Sequence, residues 1–482
     1  MFNVDLLIIG GGLVGASLAT AVRSHPLAKD LRILLVDPSP PSTQSWPPTS
    51  LRTSTISPSS KMFLDDIGVW DRIPVDRIAV FDRMFVWDHP YPLPATPSNT
   101  EVSKAPAGTI VFDANDIEQD HLGYVLDNDT LRNAMFRRIG DIVGGGSQGL
   151  QVIQGSVKTI KFVDDESESH VPEEEDSAPW PVVELESGET IQCRLIAACD
   201  GSRSRVRTIC GADWFQYGYG QNAVVANVEL KDIITTAYQR FVPTGPVAVL
   251  PVSTEDTLAP VGNVIWTTTP AEARALMAAD ETDFINELNI VLAAHEDEDQ
   301  VFASSFYPPE SDQNPALWRL VAKGLQVVLP KSAAENKVLN FIPPPEATRV
   351  IGKRGQFPLT LGHSPQYVLR KKRTVLVGDA AHSVHPLAGQ GVNLGFADAQ
   401  SLADCIASAA GTGRDLGGEN GAPLMRYQSE RITSNLGMIG VLHGLQRVFG
   451  VQNPTFRDFR RVGISALNFA NPLKKIILRA MR

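Results

Sequence analysis

Val4-Asp5-Leu6-Leu7-Ile8-Ile9-Gly10-Gly11-Gly12-Leu13-Val14-Gly15 is the stretch on which the fold turns. Residues 4–9 form a short apolar run rich in branched side chains and read as a buried parallel strand. Glycines follow at once, and residues 13–23 carry apolar side chains at helical spacing. A second apolar run, residues 32–36, closes on Asp37. Strand, glycine turn, helix and strand make a βαβ unit. Within it, Gly10-x-Gly12-x-x-Gly15 tightens the turn, lets the backbone approach a pyrophosphate and packs helix close to strand. The helix start, from Leu13 and Val14, offers free N–H groups and a positive dipole end to phosphates. Asp37 closes the second strand and can accept hydrogen bonds from the ribose of an adenosine half. The pattern alone is a weak signal; with strand, helix and acid in register it points to dinucleotide binding.

Two further motifs extend this reading. A short buried strand, residues 374–377, runs into Gly378-Asp379-Ala380-Ala381-His382 and on through His385-Pro386-Leu387-Ala388-Gly389-Gln390-Gly391-Val392-Asn393. A carboxylate at a strand end can hold sugar-like hydroxyls, and the later glycines and helix start offer N–H groups to a pyrophosphate or an electron-rich ring edge. His382 and His385 are three residues apart with Pro386 adjacent, not the i,i+4 pair that a helical zinc site uses, so no metal is expected. The third motif, Asp200-Gly201-x-x-Ser204-x-x-Arg207, follows an apolar strand at residues 195–198. By itself it reads equally well as an ordinary helix start capped by Ser or Asp.

The remaining composition narrows the class. A chain of 482 residues is too long for one core and fits two domains. No apolar run reaches the length of a membrane-spanning helix. The net charge of −11 argues against nucleic acid as a partner. Eight acids of that charge lie in residues 164–176 (DDESESHVPEEED), which read as an extended loop between paired strands. Cys193, Cys199, Cys210 and Cys405 have no framework spacing and read as free thiols. With the first strand beginning near Val4, no leader is visible, which fits a cytosolic protein or a chain that starts after a removed leader.

Residues 38–48, rich in Pro and Ser, must be a loop, and residues 123–126 form a strand entering a helix capped by Asp127, Asn128 or Asp129. Residues 150–162 and 181–199 alternate like paired strands. Residues 224–230, 241–252 and 264–268 read as strands of a separate antiparallel sheet, with residues 271–295 mainly helical. From Gln390 onward the pattern is helical, broken near residues 411–421 and at Pro454.

Together, in this order, the three motifs resemble the class A flavoprotein monooxygenases, the aromatic hydroxylases built like 4-hydroxybenzoate hydroxylase. The resemblance runs from Val4 to about Ala407. It implies an α/β fold: a glutathione-reductase-like Rossmann FAD-binding domain, an antiparallel-sheet substrate domain and a helical C-terminus. The implied boundaries are 1–78, 122–212 and 347–430 for the composite FAD domain, 79–121 and 213–346 for the substrate domain, and 431–482 for the C-terminal helices. FAD would be bound non-covalently by Gly10, Gly12, Leu13, Val14, Gly15 and Asp37 at the ADP half. Asp200 and Gly201 would lie near the pyrophosphate and ribose, Gly378 and Asp379 at the ribityl chain, and Gly389, Gln390, Gly391, Val392 and Asn393 beyond it. Arg52 matches an arginine near the flavin phosphates or ring, across a loosely aligned loop. Pro386 falls where the family places a backbone carbonyl at the reacting flavin edge. Arg240 is a candidate partner for a substrate carboxylate, or else a surface arginine at a strand end.

Within that class the chain is similar to the ubiquinone-biosynthesis hydroxylases, in particular their mitochondrial branch acting at ring C5 of 3-polyprenyl-4-hydroxybenzoate. The matching stretches are residues 54–60 (STISPSS), 123–128 (GYVLDN), 240–246 (RFVPTGP) and 385–393 (HPLAGQGVN). In this family reduced flavin and O₂ form a C4a-hydroperoxide that attacks the ring of a phenol. The alternatives are a soluble phenol as substrate, or a low-turnover flavoprotein scaffold of a biosynthetic complex. The chain has one GxGxxG, so NAD(P)H would bind without a dedicated domain or electrons would come from elsewhere. The resemblance implies a ferredoxin with its reductase as donor, NADPH being possible, and other coenzyme Q biosynthesis proteins as partners. It implies peripheral placement on the matrix face of the mitochondrial inner membrane. Arg370-Lys371-Lys372-Arg373 would suit an acidic ferredoxin or anionic phospholipid, or is a solvated basic turn. Residues 456–482 interleave apolar side chains with seven bases, Arg457, Arg460, Arg461, Lys474, Lys475, Arg479 and Arg482. They suit helices lying on an anionic membrane surface, or helices packed on the body.

Overall fold

The computed structural model describes residues 2–88, 103–104, 109–145, 149–162, 180–253, 259–293, 340–385, 389–450 and 460. The acidic stretch 164–176, Pro386 and six of the seven C-terminal bases lie outside the described residues.

The chain opens with β1 (Phe2–Ile9), α1 (Leu13–Ser24), β2 (Ile33–Asp37), β3 (Thr53–Ile56) and α2 (Pro58–Asp66). Next come β4 (Ala79–Phe81), β5 (Arg83–Asp88), β6 (Ser103–Lys104), β7 (Thr109–Asp113), β8 (Gly123–Asp127) and α3 (Asn128–Gly144). Four strands follow, β9 (Leu150–Gln154), β10 (Val157–Lys161), β11 (Val182–Leu185) and β12 (Thr190–Ala198), then α4 (Arg205–Ile209). Thereafter come β13 (Phe215–Leu230), β14 (Thr236–Val242), β15 (Gly245–Val252), β16 (Val261–Thr268), α5 (Pro270–Ala278) and α6 (Glu281–Ala293). The last elements are β17 (Asn340–Phe341), β18 (Ala347–His363), β19 (Val368–Leu369), β20 (Thr374–Leu376), β21 (His382–Ser383), α7 (Gly391–Gly411) and α8 (Met425–Gly450).

Two compact units divide these elements: residues 1–78, 126–219 and 359–443 in one, and 79–125, 220–358 and 444–482 in the other. The first is built on a sheet ordered β10-β11-β12-β1-β2-β9. Parallel β1 lies between β12 and β2, with Leu6 opposite both Leu195 and Ile33. The last three residues of β12 also pair with parallel β20, Ile196 opposite Thr374. Leu6, Leu7 and Ile8 are fully buried, which is why the first strand reads as an unbroken apolar run rather than an alternating one. Helix α1 packs on α3 and α7, its buried face running from Gly15 to Val22.

The second unit holds a sheet ordered β18-β13-β16-β15-β14-β5-β7. Along it β13, β16, β15 and β14 pair antiparallel, as do β5 and β7, while β14 and β5 are parallel. Phe85, Trp87, Tyr238, Val264, Trp266, Phe284 and Leu288 form its core, with α6 contributing the last two.

Several local expectations change. Residues 241–252 are not one strand but a hairpin, β14 and β15, whose turn carries Pro243 and Thr244 between paired Val242 and Gly245. Proline has no N–H for a ladder and breaks the run. Residues 150–162 are two strands on opposite edges of the first sheet, β9 beside β2 and β10 beside β11. Residues 181–199 are likewise a hairpin, β11 with β12. The helical stretch 271–295 divides into α5 and α6, with Thr269 capping the first. Helix α8 runs across residue 443, so the described C-terminal residues divide between the two units instead of forming a third.

Candidate active site

The first unit brings the three motifs together at the carboxyl ends of β1, β12 and β20. Gly12 stands at the N-cap of α1, its backbone still extended. A Cβ on Gly15 would stand 1.8 Å from the Gly10 carbonyl oxygen, so the helix can cross the strand end only without a side chain there. A Cβ on Gly12 would meet no atom within 4 Å, leaving open space beside the helix start. Asp37 is buried at the end of β2. Its Oδ2 accepts from the Gly11 amide at 2.7 Å and its Oδ1 from the Ser39 amide at 2.8 Å. The acid assigned to a ribose therefore also braces the glycine turn. Arg132 of α3 completes the clamp, donating to Asp37 Oδ1 at 2.8 Å and to the Gly11 and Ser39 carbonyls at 2.7 and 3.0 Å. Sequence reading missed Arg132, which lies in an ordinary amphipathic helix and belongs to no motif.

The Asp200 motif uses its carboxylate locally. Asp200 accepts from the Ser204 hydroxyl at 2.6 Å and from the Val206 amide at 3.0 Å. Ser204 caps α4 through the Arg207 amide, so the cap reading describes these side chains. Arg207 reaches further. Its guanidinium lies over the Trp214 ring at 3.7 Å and donates to the carbonyls of Ser202 (2.8 Å) and Ala380 (2.9 Å). The Asp200 motif is thereby tied to the Gly378 motif. Burial of Arg207 lowers its pKa against the opposing pull of Asp200.

Gly378 has φ +60, a left-handed conformation natural to glycine. A Cβ there would come within 3.0 Å of Val14, and one on Gly395 within 2.5 Å of the same side chain. Val14 of the first motif is thus seated against the second at two points. Asp379 is exposed at the surface; the protein atoms crowded round its carboxyl raise its pKa, His382 opposing and Asp398 reinforcing the shift. Asn393, at the start of α7, accepts from the Ser57 amide at 3.0 Å and donates to the Thr55 carbonyl at 2.8 Å. These bonds join residues 54–60 to the 389–393 turn, where Gly389 lies against Thr55 and Gly391 and Val392 begin the helix. Gln390 is buried beside them. Gly201, like Gly378, has positive φ. Arg52 is exposed; its carbonyl accepts from the Asn128 amide at 2.8 Å, anchoring its backbone to α3. Asp398, fully buried in α7, was also missed. It accepts from the Gly378 amide and from His382, Arg431 and Asn435.

Elsewhere the structure revises the surface readings. Arg240 is 2% exposed, and its guanidinium donates to the Val291 carbonyl of α6 in the second unit. It is not a surface arginine. Arg373 is buried and paired with Asp415 at 2.6 Å, which removes it from the basic turn and leaves Arg370, Lys371 and Lys372. Arg460 is likewise buried, in an ion pair with Asp88 at 2.5 Å. No cluster of three or more metal-binding side chains is found among the described residues. All four cysteines are free and buried; burial pushes the Cys210 thiol up to about 11, away from reactivity.

Comparison with known proteins gives this geometry a family. The FAD binding domain family matches residues 359–432, the segment from β18 to α8 that carries Gly378 and Asp379. Ubiquinone biosynthesis monooxygenase COQ6, mitochondrial, of Homo sapiens is 33% identical over 479 residues, 98% of this chain and 91% of that protein. The Xenopus tropicalis protein of the same name is 30% identical over 98% of this chain and 92% of its own length. The chain belongs to the COQ6 family. As a COQ6 family member it is an FAD-dependent monooxygenase. Solved structures of PqsL from Pseudomonas aeruginosa and of p-nitrophenol 4-monooxygenase PnpA from Pseudomonas putida DLL-E4 share its fold. PqsL aligns over 96% of this chain and 100% of its own at TM-score 0.64 and 17% identity. PnpA aligns over 100% and 99% at TM-score 0.64 and 16% identity.

Proposed function

We propose that this COQ6 family chain hydroxylates ring C5 of a 3-polyprenyl-4-hydroxybenzoate in coenzyme Q biosynthesis, with FAD resident and O₂ as oxygen source. The observation that carries the reading is the seating of Val14 against Gly378 and Gly395. It joins the two halves expected of a flavin site in a chain whose relatives are named ubiquinone biosynthesis monooxygenases. The residues fit the cofactor: open space flanks the α1 start at Gly12, and an acid stands at each end of the run, Asp37 and Asp379.

Bound and reduced, FAD supplies the oxygen-activating chemistry. Gly10, Gly12, Leu13, Val14 and Gly15 hold its pyrophosphate on the α1 N-terminus, with Gly201 beside them. Asp37 holds the adenosine ribose, and Asp200 keeps the Gly201 turn in place through Ser204. Asp379 takes the ribityl hydroxyls, and Gly389, Gln390, Gly391, Val392 and Asn393 present the α7 start to the ring edge. Arg52 reaches the phosphates or ring from its exposed position. Pro386, outside the described residues, is the position from which the family resemblance would supply a backbone carbonyl at the reacting edge. Arg240 remains the candidate partner for a substrate carboxylate, with its guanidinium also holding the Val291 carbonyl of α6.

A ferredoxin with its reductase is the electron source, meeting the basic turn at Arg370, Lys371 and Lys372. The relatives' names say mitochondrial, and the reading extends this to peripheral placement on the matrix face of the inner membrane. None of the described helices is long and apolar enough to cross a membrane. The test is turnover of a short-chain prenyl-4-hydroxybenzoate under ¹⁸O₂, with ferredoxin and reductase compared against NADPH. One labelled hydroxyl at C5 is expected, made only with ferredoxin. Unlabelled product would end the monooxygenase reading, and label at another carbon would end the C5 assignment.

A further inference from the structure

Asp398 lies inside α7, fully buried, with no place in any of the motifs that announced the site. Its two oxygens face different neighbours. Oδ2 accepts from the Gly378 amide at 3.0 Å and from His382 Nε2 at 2.5 Å. Oδ1 accepts from Arg431 Nε at 2.7 Å and Asn435 Nδ2 at 3.2 Å, both on α8. A buried carboxylate with four donors is fully engaged, and each charge-assisted bond is stronger than a neutral one. Arg431 supplies the countercharge that makes the burial tolerable.

The Oδ2 side bears on the backbone that carries Asp379. Gly378 sits at φ +60 with its amide held by Asp398, and its carbonyl accepts from the Ala381 amide at 2.8 Å. His382, closing the same turn, is 1% exposed and stacks on Tyr367 with ring centroids 5.8 Å apart. Asp398 therefore grips the Gly378–His382 turn at both ends while Asp379, between them, faces outward. The Oδ1 side runs to α8: Arg431 and Asn435 bond each other at 2.8 Å and tie α8 to α7, Asn435 also donating to the Tyr367 hydroxyl at 3.2 Å.

We propose that Asp398 is the positioning residue of the flavin site, fixing through Gly378 and His382 the turn that aims Asp379, while its bonds to α8 serve stability alone. The assignment rests on the flavin reading above. It predicts that damage on the Oδ2 side weakens FAD binding out of proportion to lost stability, and that damage on the Oδ1 side does the reverse.

The experiment measures FAD dissociation constant, visible circular dichroism of the bound flavin and melting temperature for the full chain and its variants. Asp398→Asn and His382→Ala are each expected to weaken FAD at least tenfold and to alter the flavin dichroism. His382→Gln, whose amide can still donate to Asp398, is expected to restore most of the affinity. Asn435→Ala is expected to lower the melting temperature with FAD affinity within twofold of the parent. Equal weakening by His382→Ala and Asn435→Ala would overturn the proposal, as would unchanged affinity in His382→Ala. His382→Ala and its glutamine counterpart decide the matter even where Asp398→Asn fails to fold. A parent protein that binds no FAD would instead bring down the flavin reading itself, an outcome visible before any variant is made.

Discussion

Gly15 and His385 show how differently single residues constrain this site. Gly15 is a matter of contact. Any Cβ at that position would overlap the Gly10 carbonyl, a backbone atom that cannot swing aside, so Gly15→Ala must push α1 off β1. The expected result is FAD-free protein with a melting temperature well below the parent's, read by absorbance and thermal denaturation. His385 is a matter of charge. It is 1% exposed with the Tyr219 ring edge-on at 4.8 Å, and burial pushes its pKa down to about 4. The unfolded chain takes up a proton near pH 6.5 that the folded chain refuses until about pH 4. Stability attributable to this residue is therefore complete above pH 6.5 and falls as pH falls toward 4, by on the order of 3 kcal/mol. Urea titrations at steps across that window should show a shallower acid decline in His385→Gln than in the parent.

At the scale of elements, what was legible depended on whether a residue's role was announced by its immediate neighbours. Asp127 ends β8 and caps α3 by accepting from the Thr130 amide at 2.9 Å, as the sequence Asp-Asn-Asp-Thr before a helical run suggests. Asp127→Ala should cost about 1 kcal/mol in denaturant unfolding while Asp127→Asn stays near parental. The βαβ unit was equally plain, since glycine spacing and an apolar run are local properties. The β14–β15 hairpin was misjudged because Phe241 and Val242 before Pro243-Thr244 and Val247 and Val249 after it read as one apolar run and hide a two-residue turn. Arg132 and Asp398 were invisible for a deeper reason. Each sits in a regular helix and works on a turn distant in sequence, Gly11 in one case and Gly378 in the other. No spacing rule within a helix encodes a partner that only the tertiary fold supplies.

At the scale of the whole molecule, the chain ties its late residues to early ones. Arg460 donates twice to Asp88, with both side chains nearly sealed from water. Its guanidinium also packs over Phe449, which stacks on Phe241 at 3.6 Å. Arg460 is therefore spent within the second unit and adds nothing to a membrane-facing charge. Arg460→Met strands the Asp88 carboxylate in that interior and should cost about 3–5 kcal/mol. The double variant with Asp88→Asn should recover much of it, measured as a double-mutant cycle in urea. The seating of Val14 against Gly378 and Gly395 bears on time as well as space. Gly378 follows Val14 by 364 positions. At the pace of translation, about 5–20 residues per second, one wall of the cofactor cradle waits roughly 20–70 s for the other. Through much of that interval β1 has β2 on one edge and nothing of β12 on the other, an apolar strand edge offered to chaperones. Flavin loading must then wait for the Gly378 turn, which comes after more than three quarters of the chain has been made.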